Sequence, residues 1–186
     1  MAYDMPCLKH PDINLKKSNN IFLIGPMGSG KTSVGRGLAK KLKLQFFDSD
    51  QEIEHRTGAA VALIFEIEGE KGFRKRETEM LEELMKHTNI VLATGGGAVL
   101  DPGNRKLLGE RGFVIYLRTG QDRLVQRTSR DNKRPLLKTG NNAETIRELM
   151  SIRGPLYEAL ADLIVDTDQR TIQSIIDEIA EHRTLP

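Results

Sequence analysis

One segment of the chain has the composition and spacing of a phosphate-binding loop. Residues 25–32 read GPMGSGKT, which fits the whole pattern G-x-x-x-x-G-K-[ST]. Glycines in this pattern let backbone N–H groups curl around phosphate oxygens, the lysine reaches the β- and γ-phosphates, and the hydroxyl binds Mg²⁺. We therefore predict that Lys31 and Thr32 bind a nucleoside triphosphate and its metal ion. The first turn of the following helix adds positive potential at the same place.

Two aspartates are candidates for the rest of the phosphoryl-transfer chemistry. A loop of this kind works with a carboxylate that follows another strand and helps to hold Mg²⁺. The predicted strand 90–93 ends in Thr94 and three glycines, whereas the predicted strand 44–47 is followed by Asp48-Ser49-Asp50. One aspartate could hold the water shell of the metal while the other accepts a hydrogen bond from an acceptor hydroxyl. The alternative is that both only cap the next helix.

Arginines are concentrated in the second half of the chain and indicate an anionic substrate. Residues 118–138 contain seven basic and two acidic side chains. Arg134 lies in a long predicted loop, so we expect it to belong to a lid that presents a cation to the transferred phosphoryl group. Arg153 precedes Gly154-Pro155, where we expect the helix to be interrupted and the side chain to project into a cleft. Arginine binds carboxylates with two parallel hydrogen bonds, which favours a small acidic metabolite.

The elements that must position these residues alternate between strand and helix. Buried-strand patterns occur at five places: 21–24, 44–47, 90–93, 113–117 and 163–165. Helical patterns lie between them and include two separate helices at 60–68 and 73–87. This alternation predicts a parallel sheet covered by helices on both faces. Ligands of such folds bind beyond the carboxyl ends of the strands, where the candidate residues stand.

Composition excludes several other classes of protein. The 28 basic and 26 acidic residues nearly cancel, and there is no tryptophan, so bulk binding to nucleic acid or to a membrane surface is not expected. A single cysteine and four scattered histidines exclude a disulfide framework and a zinc site. The polar segment 1–19 lacks the apolar stretch of a secretory signal, so we expect a cytoplasmic protein. The guanine-binding motif N-K-x-D of GTPases does not occur, and the length argues against a motor, which leaves a small kinase.

The motifs, taken together, resemble those of the shikimate kinases. Six of them follow one another along the chain: GPMGSGKTS (25–33), DSD (48–50), GFRKRE (72–77), ATGGGAV (93–99), KRPLL (133–137) and RGPLY (153–157). The resemblance implies a three-layer α/β/α fold like that of the nucleoside monophosphate kinases, with a five-stranded parallel sheet, a lid and a substrate-binding subdomain. It also implies transfer of the γ-phosphoryl group of ATP to the 3-hydroxyl of shikimate, a step of aromatic amino acid biosynthesis.

The resemblance assigns the nucleotide and the metal to particular residues. The expected ATP ligands are the residues of the loop and four further positions: Gly28, Ser29, Gly30, Lys31, Thr32, Ser33, Arg127, Arg134, Gln169 and Arg170. Thr32 would bind Mg²⁺ directly and Asp48 through water. Arg127 would stack near adenine, and Gln169 or Arg170 would lie in the adenine loop. Mg²⁺, carried by ATP, is the expected cofactor.

The resemblance also assigns the substrate. Arg74 and Arg153 would bind the shikimate carboxylate, and Gly96 with Gly97 would line the pocket. Lys31, Asp50 and Arg134 would be the catalytic residues. Asp50 would bind the acceptor hydroxyls, but an ordinary aspartate has a pKa near 3.9 and is a weak base, so we expect orientation of the hydroxyl to dominate.

These assignments define the expected organisation and its alternatives. Residues 1–19 would be an extension and 20–183 a single kinase domain, with the substrate-binding region at about 49–77 and the lid at about 130–142. We expect a monomer whose partners are shikimate and ATP, without nucleic acid or membrane. The alternatives are a kinase of another hydroxy acid, such as gluconate, and a nucleotide-binding regulator that has lost catalysis. The complete set of site residues argues against the regulator.

Overall fold

The structure, a computed structural model, describes residues 19–128 and 142–184. Its five strands are β1 (Ile21–Ile24), β2 (Gln45–Asp48), β3 (Ile90–Ala93), β4 (Phe113–Arg118) and β5 (Leu163–Asp166). The α-helices of these residues are α1 (Lys31–Leu42), α2 (Ser49–Thr57), α3 (Val61–Leu84), α4 (Pro102–Arg111), α5 (Gln121–Thr128), α6 (Asn142–Leu160) and α7 (Ile172–Thr184). A short 3₁₀ helix covers Ala98–Leu100. In the described part of the chain, no helix combines the length and apolarity that crossing a membrane requires.

The strands form one parallel sheet in the order β2-β3-β1-β4-β5. The central strand β1 is buried along its whole length and pairs with β3 on one side and β4 on the other. Phe22 faces one apolar layer of the core, and Leu23 faces the other, because successive side chains of a strand point to opposite faces. Helices α1 and α7 cover the Leu23 side, while α3, α4 and α6 cover the Phe22 side. The predicted three-layer fold with five parallel strands is confirmed.

The helix α3 bends at Gly69, which separates the two helices that the sequence predicted. Gly69 has φ 71° and ψ 178°, a conformation outside the helical region that a glycine adopts without steric cost. The helical residues before it start at Val61, and those after it run to Leu84, so the second half is shifted toward the N-terminus from the predicted 73–87. The bend leaves Phe73 and Glu77 buried on the inner face of the second half.

The prediction that Gly154-Pro155 interrupts a helix is wrong. The helix α6 continues through Pro155 to Leu160. A proline inside a helix costs about 3 kcal/mol in an isolated peptide. Here Ile146 and Tyr157 are both buried, one on each side of Pro155, so packing against the core holds both halves of α6 in place. Arg153 therefore enters the cleft from a continuous helix.

Candidate active site

Most of the predicted site residues that the structure describes surround one cleft at the carboxyl edge of the sheet. The cleft has a volume of about 430 Å³. The phosphate loop forms its floor, the ends of β2 and β3 form one wall, and the bent helix α3 with Arg153 of α6 closes the opposite side. The residues after β1, β2 and β3 thus meet, as the parallel topology requires.

The phosphate loop holds its lysine inside the cleft. Lys31 is the first residue of α1, and its ammonium group donates hydrogen bonds of 2.7 Å to the carbonyl oxygens of Gly25 and Pro26. Gly28 and Gly30 have φ 81° and 95°, left-handed values that let the loop turn into the helix. The cation and the N-terminus of α1 therefore lie at the same end of the cleft, where they attract an anion.

Asp48 combines two functions at the end of β2. Its Oδ1 accepts hydrogen bonds from the N–H groups of Asp50 and Gln51, so it caps α2. Its Oδ2 accepts a 2.7 Å hydrogen bond from the Thr32 hydroxyl. The alternative that the aspartates cap the next helix is thus correct for Asp48 Oδ1. Asp48 Oδ2 and the Thr32 hydroxyl form a pair of hard oxygen ligands that suits Mg²⁺.

Asp50 shares its surroundings with a second buried carboxyl group, Glu77 of α3. Asp50 Oδ1 lies 2.8 Å and Glu77 Oε1 2.2 Å from the point where a Cβ on Gly95 would stand. The two oxygens are thus at most 5.0 Å apart, the sum of these distances. Neither has a hydrogen-bond partner among the described residues. These two oxygens are buried, and both residues also line the cleft, so a ligand there lies next to two carboxyl groups.

Burial changes the acid–base properties of this pair. Desolvation raises the pKa of Asp50 to about 7, the nearby Glu77 and Asp48 carboxylates add to the increase, and Lys31 and Arg74 oppose it. Desolvation also raises the pKa of Glu77, although Arg74 opposes the change. Asp50 is therefore a stronger base than the ordinary aspartate assumed from the sequence. The sequence could not show this, because the shift depends on the solvent exclusion created by α3.

Arg74 is held in a fixed orientation on α3. Its Nη1 donates a 2.6 Å hydrogen bond to Glu77, and Nη2 and Nε donate to Glu70 at 3.1 and 3.3 Å. The guanidinium also lies over the rings of Phe73 and Phe65, 5.4 and 5.9 Å from their centroids. Such contacts favour a cation and limit its rotation.

Arg153 is a buried cation without a carboxylate partner. Its side chain lines the cleft, yet the residue is only 5% exposed. No acidic side chain of the described residues forms an ion pair with it, and it instead interacts with the phenol of Tyr157. Burial lowers the pKa of Arg153, Tyr157 opposes the change, the positive charge of Arg74 lowers the pKa further, and the more distant Glu70 and Glu77 carboxylates oppose it. A buried charge left in this state favours an anionic ligand.

The glycine triplet after β3 gives room to the groups around it. A Cβ on Gly97 would lie 2.2 Å from Cζ, Nη1 and Nη2 of Arg74, so the guanidinium rests flat against the Gly97 backbone. A Cβ on Gly96 would lie 3.3 Å from the backbone nitrogen of Met27 in the phosphate loop. The triplet therefore packs closely against the phosphate loop at Gly96 and against Arg74 at Gly97, and a side chain at either position would displace its neighbour.

The remaining predicted ATP ligands lie outside this cleft or outside the described residues. Arg127 is exposed on α5 and donates a 3.0 Å hydrogen bond to the Gly28 carbonyl. Gln169 is exposed and has a φ of 54°. Arg170, just before α7, donates hydrogen bonds to the Ser174 carbonyl and to the Glu178 carboxylate of that helix. Their roles toward adenine stay predictions. Arg134, the KRPLL motif and most of the predicted lid at 130–142 lie outside the described residues, as does the extension up to residue 18.

The two other loop positions differ in their surroundings. Ser33 is exposed at the rim of the cleft, whereas Ser29 is buried and its hydroxyl has no hydrogen-bond partner among the described residues.

Sequence reasoning assigned no role to Glu77, the buried partner of Arg74. The sequence did indicate that Arg74 and Glu77 could pair, because they are three residues apart on one helix face. The many charged residues around them, however, are typical of a solvent-exposed helix.

Comparison with known proteins identifies the family. The family model described as shikimate kinase matches residues 27–184. The chain belongs to the shikimate kinase family. The shikimate kinase of Legionella pneumophila is 50% identical over 170 residues, which cover 91% of this chain and 97% of that protein. The shikimate kinase of Thioalkalivibrio sulfidiphilus is 53% identical over 168 residues, which cover 90% and 88%.

A solved structure shows the same fold. The shikimate kinase from Acinetobacter baumannii in complex with shikimate has a TM-score of 0.88 and 46% sequence identity, and the match covers 92% of this chain and 97% of that one. The resemblance read from the sequence motifs is confirmed, and so is the prediction of a kinase. The gluconate kinase alternative is not supported.

Proposed function

We propose that this chain binds MgATP and shikimate in the cleft and transfers the γ-phosphoryl group to the 3-hydroxyl of shikimate. Among the residues, Arg74 and Arg153 bind the substrate carboxylate, Asp50 binds the acceptor hydroxyl, and Lys31 with Arg134 stabilises the transferred group. The single observation that carries this proposal is the buried guanidinium of Arg153, which faces the cleft without a carboxylate partner in the described chain.

The carboxylate site depends on two guanidinium groups of different environment. Arg74 is fixed by ion pairs with Glu77 and Glu70, whereas Arg153 forms no ion pair among the described residues and interacts with the Tyr157 phenol and the fields of Glu70 and Glu77. A bound carboxylate would neutralise Arg153 and would also be attracted by the positive charge of Arg74. These attractions would offset the free-energy cost of burying both cations. The clamp therefore selects a substrate with one negative charge at the end away from the phosphate loop.

The acceptor site follows from the position of Asp50. Its carboxyl group lines the cleft beside the glycine triplet, and Lys31 influences it electrostatically from the phosphate loop. A substrate hydroxyl that donates to this carboxyl group would lie in the same cleft as the carboxylate clamp and the phosphate loop. Orientation of that hydroxyl supplies much of the catalysis, because the metaphosphate-like transition state needs little early deprotonation.

The nucleotide end requires an exchange of partners at Lys31. The ammonium group now donates to the Gly25 and Pro26 carbonyls, and we propose that it moves to the β- and γ-phosphate oxygens when ATP binds. Arg134, which follows α5 in the predicted lid, would add a second cation at the transferred group. Both charges act where negative charge develops.

The residues Thr32 and Asp48 fit a magnesium ion. Their hydroxyl and carboxylate oxygens lie 2.7 Å apart at the foot of α1, and hard oxygen ligands suit Mg²⁺. Within residues 19–128 and 142–184, no group of three His, Cys, Asp or Glu side chains could hold a metal alone. The ion would therefore arrive with ATP, and when bound it neutralises charge on the phosphate oxygens.

The test is an ADP-release assay with MgATP and four acceptors: shikimate, quinate, gluconate and the methyl ester of shikimate. We expect turnover with shikimate and a greatly raised KM with the ester, which keeps the ring and hydroxyls but lacks the charge. Turnover of gluconate in place of shikimate, or equal KM values for shikimate and its ester, would refute the proposal.

A further inference from the structure

A tyrosine of α6 contacts the site and has no role in the chemistry described above. Tyr157 is fully buried, and its ring stacks on Tyr116 of β4 with the centroids 5.0 Å apart. Stacking in the core explains why the position is aromatic, but a phenylalanine would stack equally well. The hydroxyl needs a separate explanation, because burying it without a partner would be costly.

The Tyr157 hydroxyl donates a hydrogen bond to the carbonyl oxygen of Gly96. That carbonyl and the N–H of Gly97 belong to the same planar trans peptide unit, so they point in nearly opposite directions. With the carbonyl directed at Tyr157, the Gly97 N–H is directed away from it. Gly97 lines the cleft with its backbone against the Arg74 guanidinium. The hydroxyl of Tyr157 therefore stabilises this orientation of a cleft-lining amide.

The same hydroxyl also contacts the buried cation. Arg153 stands one helical turn before Tyr157 and interacts with its phenol oxygen. A guanidinium can only donate, whereas a phenol both donates and accepts. The phenol donates its proton to Gly96, so its oxygen keeps its lone pairs for the Arg153 guanidinium, with which it interacts electrostatically. One oxygen thus contacts both a side chain and a peptide that line the cleft.

The opposite end of the triplet has its own anchor. The Gly95 N–H donates a 2.9 Å hydrogen bond to Ser49 Oγ, at the start of α2. Flexible glycines need such external contacts, because their backbone would otherwise adopt several conformations. Ser49 fixes the amide before Gly95, and the Ala98 N–H closes a turn around the triplet with a 3.1 Å hydrogen bond to the Gly95 carbonyl. Tyr157 adds a side-chain hydrogen bond to the peptide between Gly96 and Gly97, at the centre of that turn.

We propose that Tyr157 is a positioning residue for the acceptor substrate: through one hydroxyl it orients the Gly97 amide and the Arg153 guanidinium. The inference rests on the proposed function, in which these groups bind shikimate. It adds a residue to the binding of the acceptor and predicts that the nucleotide end of the cleft is independent of that residue. Loss of the hydroxyl should act on shikimate and leave ATP unaffected.

The experiment compares Tyr157→Phe with Tyr116→Phe in steady-state kinetics with shikimate and with ATP as the varied substrate. Each variant loses one hydroxyl from the same stacked pair of rings. We expect Tyr157→Phe to raise the KM for shikimate about tenfold, because a misoriented Gly97 amide or Arg153 guanidinium would lose about one hydrogen bond to the charged substrate. The KM for ATP should stay within twofold of wild type. Tyr116→Phe should leave both KM values within twofold.

A readout on the peptide itself separates positioning from general loss of stability. In ¹⁵N-labelled wild-type protein, the Gly97 amide resonance should shift when shikimate is added, and in Tyr157→Phe the shift at saturation should be smaller. Both variants are assayed at a temperature at which circular dichroism shows them fully folded. An unchanged KM for shikimate, or equal rises in both KM values, would overturn the inference. Failure of the wild-type protein to phosphorylate shikimate would instead refute the proposed function.

Discussion

Replacement of Gly97 by alanine tests the close contact between the glycine triplet and the carboxylate clamp. The added Cβ would lie 2.2 Å from three atoms of the Arg74 guanidinium, whereas ordinary contacts begin near 3.4 Å. The guanidinium would have to retreat by about 1.2 Å, the difference between these distances. Gly97 has φ −100°, which alanine adopts freely, so the effect is steric and local.

The expected magnitude follows from the hydrogen bonds of Arg74. The range of hydrogen-bond lengths is only about 0.5 Å wide, so a retreat of this size breaks a bond either to Glu77 or to the substrate carboxylate. A hydrogen bond to a charged group contributes about 1.5–3 kcal/mol, which corresponds to a rise of about 10- to 150-fold in the Kd for shikimate. The Kd for MgATP should stay within about twofold, because the phosphate loop is not displaced.

Isothermal titration calorimetry of the variant with shikimate and with MgATP measures both values. Gly109→Ala is the matched control, since Gly109 lies within α4 and an added Cβ would make an ordinary 3.6 Å contact with Leu160. That control should bind both ligands normally. An unchanged Kd for shikimate in Gly97→Ala would refute the argument that the Arg74 guanidinium must rest against a bare backbone.

Three further substitutions examine the charges of the site. Arg74→Lys should weaken shikimate binding about tenfold, since lysine lacks the planar fork, and calorimetry showing an unchanged Kd would contradict the clamp. Glu77→Gln should also raise the Kd for shikimate about tenfold, because a neutral amide holds the guanidinium less strongly than a carboxylate; normal affinity would show that Arg74 keeps its orientation without the Glu77 charge. Arg134→Ala should lower kcat by about 10³-fold in the ADP-release assay while calorimetry shows shikimate still binding, and weaker binding with a normal kcat would exclude the lid assignment.

The fold was largely predictable because local patterns agree with the tertiary structure. The four apolar residues of β1 end at the phosphate loop, and a run this short before a glycine is typical of a strand covered on both faces. Pro155 was misleading, because its tendency to break a helix is opposed by the packing of Ile146 and Tyr157 in the core. That packing involves residues far away in the sequence, so the local pattern did not reveal it. Gly69 could be recognised as a break, but the direction of the bend depends on how Phe73 packs in the core.

The candidate site was predictable where a residue's role follows from a motif. Lys31 and Thr32 occupy positions that the phosphate loop dictates, and the structure places both in the cleft. Asp50 was predicted as a hydroxyl ligand, but its basicity was underestimated because burial by α3 and the Glu77 charge raise its pKa. Glu77 itself was missed, since a glutamate within a highly charged helix gives no local sign that it is buried.

The most direct test is a crystal structure with shikimate and ADP bound together. The carboxylate should lie within hydrogen-bonding distance of the guanidinium groups of Arg74 and Arg153, with the 3-hydroxyl on Asp50 and directed toward the phosphate loop. A shikimate molecule whose carboxylate contacts neither arginine, or whose 3-hydroxyl lies away from Asp50, would contradict the proposed arrangement of the site.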